Sequence, residues 1–252
     1  MTAPVTTNSA MARALRIVRH VTIISSEEAL SQQLNAFAAP QKSSVVAFIN
    51  AHGFNIIWDK DDVAEDFAKV DYLLRDGVGL EILFSQIGTD AGLNLNGTDL
   101  IPRILERAKG KRIALYGTKD PWLSKSKEVL EQQGQNIVSV MDGWQDSAAY
   151  VRDATSAKPD VIVLAMGMPK QERVAIELRA ALTDHPATII CGGAILDFLA
   201  DRFPRAPEWM RKAKLEWLFR LAQEPRRLFK RYVIGNVLFL RRAKKIRKSL
   251  EA

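Results

Sequence analysis

Short apolar runs recur along the first 200 residues, separated by longer stretches whose apolar positions fall at helical spacing. Residues 45–50 (VVAFIN), 72–74, 112–116 (RIALY), 137–141, 161–166 (VIVLAM) and 188–191 are short, rich in β-branched residues and show little alternation. Parallel strands covered on both faces have this pattern. Between them the spacing predicts helices over 61–70, 78–87, 98–108, 121–133, 146–157 and 170–182. Acids open the first, Thr98-Asp99 opens the helix that stops before Gly110, and Asp120 with Pro121 opens the next. Such alternation predicts an α/β fold: a Rossmann-like, mainly parallel sheet with flanking helices.

Beyond Phe203 the pattern changes. Pro204, Pro207 and Pro225 punctuate two long helical patterns, over 207–223 and 226–250. The first sets Trp209, Leu215, Leu218 and Leu221 along an apolar stripe with basic flanks. The second carries Arg241, Arg242, Lys244, Lys245, Arg247 and Lys248. The expected organisation is an α/β body over 1–203 and a basic helical appendage over 204–252. Charge sharpens this division. Residues 201–252 hold 16 Lys and Arg against five Asp and Glu, a net of +11, while residues 1–200 hold 20 against 24, a net of −4. A basic segment on a mildly acidic body calls for an anionic partner: phosphates, acidic lipid headgroups or nucleic acid.

Composition excludes several classes. With 252 residues, 47% hydrophobic and 26% charged, the chain can bury a sizeable core and is neither disordered nor collagen-like. The single cysteine, Cys191, excludes a disulfide scaffold and a cysteine-based zinc site, and suits a reducing compartment. His20, His52 and His185 lie too far apart in sequence to suggest a histidine metal centre. The apolar run over 232–240 is about half the roughly 20 residues of a spanning helix. Residues 1–10 lack the charged and apolar regions of a secretory signal, and Met11 is a second candidate start.

Candidate chemistry sits at strand ends, where open α/β sheets bind ligands. Asp76-Gly77-Val78-Gly79 follows a strand and opens a helix. Asp76 suits a general base there and the glycines admit a substrate close to the backbone, although an isolated Asp-Gly more commonly caps a helix. Gly167-Met168-Pro169-Lys170-Gln171-Glu172 also joins strand to helix. Its free N–H groups and Lys170 could hold an anion, and Gln171 could bind sugar hydroxyls. Gly117 in Tyr116-Gly117-Thr118, and Gly193 with Asp197, repeat the strand-to-glycine pattern, so all these turns point to one rim. Asp59-Lys60-Asp61 has the D-x-D spacing of metal-dependent transferases but reads better as a solvated helix start. Arg202, Arg205, Arg211, Arg220, Arg226, Arg227, Lys230 and Arg231, interleaved with Trp209, Trp217, Phe219, Phe229, Tyr232 and Phe239, fit a membrane interface better than a DNA-reading helix.

Taken in order, Asn50, Asp76-Gly77-x-Gly79, Gly97-x-Asp99, Gly167-x-Pro169-Lys170-Gln171-Glu172, Gly193-x3-Asp197, Arg205-Ala206-Pro207-x-Trp209, Glu216-Trp217-Leu218-x-Arg220-Leu221 and Glu224-Pro225-x-Arg227-x3-Arg231-Tyr232 resemble the WecG/TagA/CpsF family of bacterial glycosyltransferases. The resemblance spans residues 45–240. It implies an inverting, metal-independent enzyme without cofactor that moves a sugar from a UDP-sugar to a sugar on an undecaprenyl-diphosphate carrier, at the inner face of the cell membrane. It implies Asp76 as the base, with Asn50 and Gln171 assisting. The substrate contacts it implies are Gly77, Gly79, Asn94, Gly97, Asp99, Gly117, Gly167, Lys170, Glu172, Gly193, Asp197, Arg220, Arg227 and Arg231. The appendage would close over the nucleotide and dock on an anionic membrane surface.

Two departures stand out. Many members have T-x-N where this chain has Phe48-Ile49-Asn50, and an Arg where it has Asn94. The Asn94-Leu95-Asn96-Gly97-Thr98-Asp99 variant looks more like the exopolysaccharide branch, similar to xanthan-type β-1,4-glucosyltransferases. That implies transfer from UDP-glucose to a lipid-diphosphate-linked glucose, with N-acetylmannosamine or N-acetylmannosaminuronate transfer as the alternative. Two rivals lie outside this reading. A nucleic-acid-binding α/β protein explains the charge but neither Asp76 nor the 167–172 turn. A soluble sugar-nucleotide enzyme such as an epimerase would call for a nicotinamide fingerprint that the chain lacks. The chain is expected to bind no specific nucleic acid; a homo-oligomer is an open alternative.

Overall fold

The computed structural model describes residues 7–251, so part of the stretch read as free of a secretory signal lies outside the described residues. Six strands, β1 (Ser44–Ile49), β2 (Tyr72–Arg75), β3 (Arg112–Gly117), β4 (Asn136–Met141), β5 (Val161–Ala165) and β6 (Thr188–Cys191), form one sheet in the order β2-β1-β6-β5-β3-β4. Every pairing is parallel, as the unalternating apolar runs predict.

Successive residues on each strand serve opposite faces of the sheet. Val45, Ala47 and Ile49 join one core with Leu73, Tyr116, Leu164 and Cys191, while Val46 and Phe48 join a second with Leu74, Leu115, Val163 and Ile190. The first core is covered by α1 (Thr7–His20), α3 (Ala51–Asp59), α4 (Asp61–Ala68), α5 (Val78–Gln86), α8 (Ser147–Ala157) and α9 (Lys170–Ala181). The second is covered by α2 (Glu27–Ala38), α6 (Gly97–Arg107), α7 (Trp122–Gln132) and α10 (Ile195–Leu199). Helices α1, α2, α3 and α10 add to the predicted set.

The long helices expected after Phe203 are broken. The 207–223 pattern divides into α11 (Glu208–Lys212) and α12 (Glu216–Gln223), because Lys214 takes a left-handed φ of +61° and Leu215 N donates to Met210 O at 2.8 Å. The 226–250 pattern runs as α13 (Pro225–Phe229), a π-helical turn over Lys230–Ile234, and α14 (Gly235–Glu251). Phe239, Ala243 and Ile246 of α14 lie in the first core, with Phe239 edge-on to Phe54 at 5.2 Å. Arg242 is not part of an exposed basic cluster. It donates to Asn55 O at 3.0 Å and Oδ1 at 3.1 Å, pairs with Asp59, and lies over the Trp58 ring. No helix among the described residues is long and apolar enough to cross a membrane.

Candidate active site

The site begins where β1 and β2 end side by side, with Ile49 opposite Arg75. Asn50 caps α3, its Oδ1 accepting from His52 N and Gly53 N at 3.1 Å each. Its Nδ2 is left to donate to Asp76 Oδ2 at 3.1 Å. Gly77 has φ +85°, a conformation that favours glycine, and its N–H donates to Asn94 Oδ1 at 2.8 Å. A Cβ at position 79 would lie 3.0 Å from Ala51 Cβ and 3.5 Å from Phe239, so Gly79 lets α5 approach α3 and α14.

Arg75, 4% exposed, organises the loop that supplies Asn94. Its guanidinium donates to Ala91 O at 3.0 Å, Gly77 O at 3.1 Å and Gly92 O at 2.9 Å, with Glu81 at 3.6 Å. Phe48 packs its ring against Gly97, 3.4 Å from where a Cβ would stand. Asn96 caps α6 by accepting from Asp99 N at 3.0 Å. Asp99 in turn holds Arg205 at 2.6 Å, tying the later segment to the body.

A cavity of about 620 Å³ opens over Asp76. The body contributes Asn50, His52, Asp76, Gly77, Gly79, Ile82 and Asn94; the later segment contributes Lys214, Trp217, Arg220, Arg231, Tyr232, Val237 and Leu240. Burial raises the Asp76 carboxyl above its usual range, opposed by the Asn50 hydrogen bond and the charges of Arg231, Arg220 and Arg75. Burial, helped by Arg231, lowers His52 to about 4, so its imidazole is neutral at physiological pH. Burial also lowers Arg231, whose Nε is enclosed without a hydrogen-bond partner. A poised carboxylate shares with two guanidiniums a space large enough for a sugar, close enough for their charges to act on it. That arrangement can take a proton from a hydroxyl and neutralise a phosphate leaving group.

The remaining expected residues lie elsewhere. Gly97, Asp99, Gly117, Gly167, Lys170, Gln171, Glu172, Gly193, Asp197 and Arg227 do not line this cavity. Lys170 Nζ donates to Gly143 O at 2.9 Å and Gln145 O at 2.8 Å. The Gln171 amide is buried, its Nε2 donating to Glu172 Oε1 at 2.8 Å and Cys191 O at 3.3 Å while its Oε1 accepts from Gly193 N at 3.0 Å. Burial raises Glu172 to about 7, and its Oε2 has no partner. A Cβ at Gly117 would fall 2.3 Å from Ala165 O, a packing reason for that glycine. Asp197 accepts from Thr118 Oγ1 at 2.6 Å and pairs with Arg202 at 3.0 Å. Arg227 is held by Glu224. The D-x-D carboxylates are likewise engaged, Asp59 by Arg242 and Asp61 by Arg13.

His52, Lys214, Trp217 and Tyr232 are cavity residues that sequence reasoning did not assign to the site. Trp217 and Tyr232, with ring centroids 6.3 Å apart, stand inside the blocks that carry the resemblance, which was a usable signal. His52 had none beyond its place after a helix-capping asparagine.

The chain matches a family model described as "Glycosyl transferase WecG/TagA/CpsF family" over residues 15–251. Among its relatives, an N-acetylglucosaminyldiphosphoundecaprenol N-acetyl-beta-D-mannosaminyltransferase of Bacillus subtilis is 29% identical over 188 residues, 72% of each chain. The Bacillus spizizenii protein of the same name is 28% identical over 166 residues, 64% of this chain and 63% of that one.

Proposed function

The chain belongs to the WecG/TagA/CpsF family of glycosyltransferases, and from that premise we propose that it transfers N-acetylmannosamine from its UDP derivative to N-acetylglucosamine on undecaprenyl diphosphate. One observation carries the mechanism: Asp76, held by Asn50, lines the same cavity as Arg220 and Arg231, whose charges act on it. The acceptor hydroxyl oxygen bonds to the anomeric carbon as the bond from that carbon to the UDP phosphate oxygen breaks. The hydroxyl proton passes to Asp76, and the charge left on UDP is met by Arg220 and Arg231. Attack opposite the leaving group inverts the anomeric centre, in keeping with the β-linkage in both relatives' names. The step uses side chains alone, without a metal ion. The basic surface around α13 and α14 brings the protein to the inner membrane face, where such an acceptor resides.

The two relatives support the mannosaminyl donor over the glucosyl one. Glucose remains the second reading because Asn94, in place of the usual arginine, is bound to Gly77 N beside the base. The deciding experiment offers UDP-N-acetylmannosamine and UDP-glucose, each with lipid-diphosphate-linked N-acetylglucosamine and glucose, and identifies products by mass spectrometry and NMR. An N-acetylhexosaminyl product is expected. A hexosyl product alone would establish the second reading, and no product from any pair would sink both.

A further inference from the structure

A helix that is apolar on every side needs apolar surroundings on every side. Residues 233–240 (VIGNVLFL) come close to this across the π-turn and the start of α14, with Asn236 as the one polar side chain. Phe239 satisfies the requirement toward the body, buried against Phe54. Val233, Val237 and Leu240 instead line the cavity, together with Ile82 of α5. Val237 remains 49% exposed, Leu240 44% and Ile82 36%, so this wall, polar only at Asn236, is open. The same cavity holds Arg220 and Arg231. Just past Leu240 the helix turns basic, with Arg241, Lys244 and Lys245 exposed.

The phosphates and hydroxyls of a nucleotide sugar find no partners on an aliphatic wall. An amphiphile with an anionic head and a hydrocarbon tail fits both parts: its diphosphate beside the exposed Arg241, Lys244 and Lys245, which leaves Arg220 and Arg231 to UDP, and its tail along the aliphatic side chains. We propose that Val233, Val237 and Leu240 of the α14 entry, with Ile82 across from them, bind the first isoprene units of a polyprenyl diphosphate. The enzyme thus reads the lipid part of its acceptor as well as the sugar. This rests on the reading of a lipid-linked acceptor given above.

The test is a binding series with methyl, geranyl and farnesyl diphosphate, below their aggregation thresholds and without vesicles, followed by titration calorimetry on the full chain. Affinity should rise roughly tenfold or more per isoprene unit, as partial burial of five carbons requires. Val237→Asn and Leu240→Asn should flatten the series. Leu238→Asn, which does not face the cavity, should retain it, with thermal melting confirming that each variant is folded. A wild-type affinity independent of chain length would overturn the proposal. So would equal flattening by Leu238→Asn, which would indicate general surface stickiness. No sugar moves in this assay, so a steep series alongside a failed transfer screen would keep the lipid wall and sink the transfer reading.

Discussion

The end of β1 and β2 and the end of β5 and β6 are built from the same parts. Each has a buried parallel strand, a glycine with positive φ and a helix start carrying polar side chains. They have different fates. At Gln171, Glu172 and Gly193 the polar groups bond to one another and to Cys191, closing a buried knot. At Asn50 and Asp76 the groups bond just enough to be aimed, and their open side faces arginines contributed from some 150 residues further along. A glycine turn at a strand end is therefore a place where chemistry can be put. What covers the turn decides whether it is used.

The sharpest way to break this contrast is Asp76→Asn. It keeps the shape and the Asn50 neighbour but removes the base, so turnover should fall by ~10²–10⁴ with melting unchanged. Turnover near wild type would take Asp76 out of the mechanism.

The corresponding change at the other end, Glu172→Gln, should act on stability. Glu172 has its folded pKa raised to about 7 from 4.5, so the folded chain binds a proton that the unfolded chain gives up. Stability should be highest at acid pH and decline by about 3 kcal/mol as pH rises from 4.5 through 7. Denaturant titrations at pH 5 and pH 8 should show that decline in wild type and lose it in the variant; an identical slope in both would show that Glu172 is not the group responsible.

Arg75→Gln probes the support beneath the base. Turnover should drop roughly tenfold as the 88–96 loop loosens. Arg75 also lowers the Asp76 pKa, so the acid limb of the pH–rate profile should move to higher pH. A fall in amplitude without that shift would leave Arg75 a purely structural role. The smallest effect belongs to Lys170→Met. Losing two hydrogen bonds to carbonyls should cost about 1 kcal/mol of stability, with donor KM within about twofold; a tenfold rise in KM would return Lys170 to anion binding.

The sheet was legible because its strands are continuous apolar runs, and all six lie within a residue of their predicted bounds. Asp76 and Asn50 were legible because parallel topology brings the carboxyl ends of strands to one rim. Helix α3 was not: Gly53, Asn55, Ile56 and Ile57 are poor helix formers, and the helix stands on its Asn50 cap and on packing against α14. The break at Lys214 has no glycine or proline to announce it; from that left-handed turn Lys214 reaches Glu81 at 2.6 Å. Helices α1 and α2 carry readable signals, such as Ala10, Ala14, Ile17 and Val18 at helical spacing and the Ser26 cap. A reading centred on strands passes over them. Among the three arginines expected at the phosphates, spacing alone could not separate Arg220 and Arg231, which line the cavity, from Arg227, which Glu224 holds.

The bond from Arg242 to Asn55 joins residues 187 apart in sequence. The sheet is closed by pairings nearly as distant, such as Ser44 with Thr188, and α14 shares the first core through Phe239, Ala243 and Ile246. The cavity over Asp76 therefore depends on the seating of α14 on α3, since residues of α14 form part of its wall. A lesion that unseats Phe239, Ala243 or Ile246 would leave Asp76 at its strand end with that wall of the cavity gone.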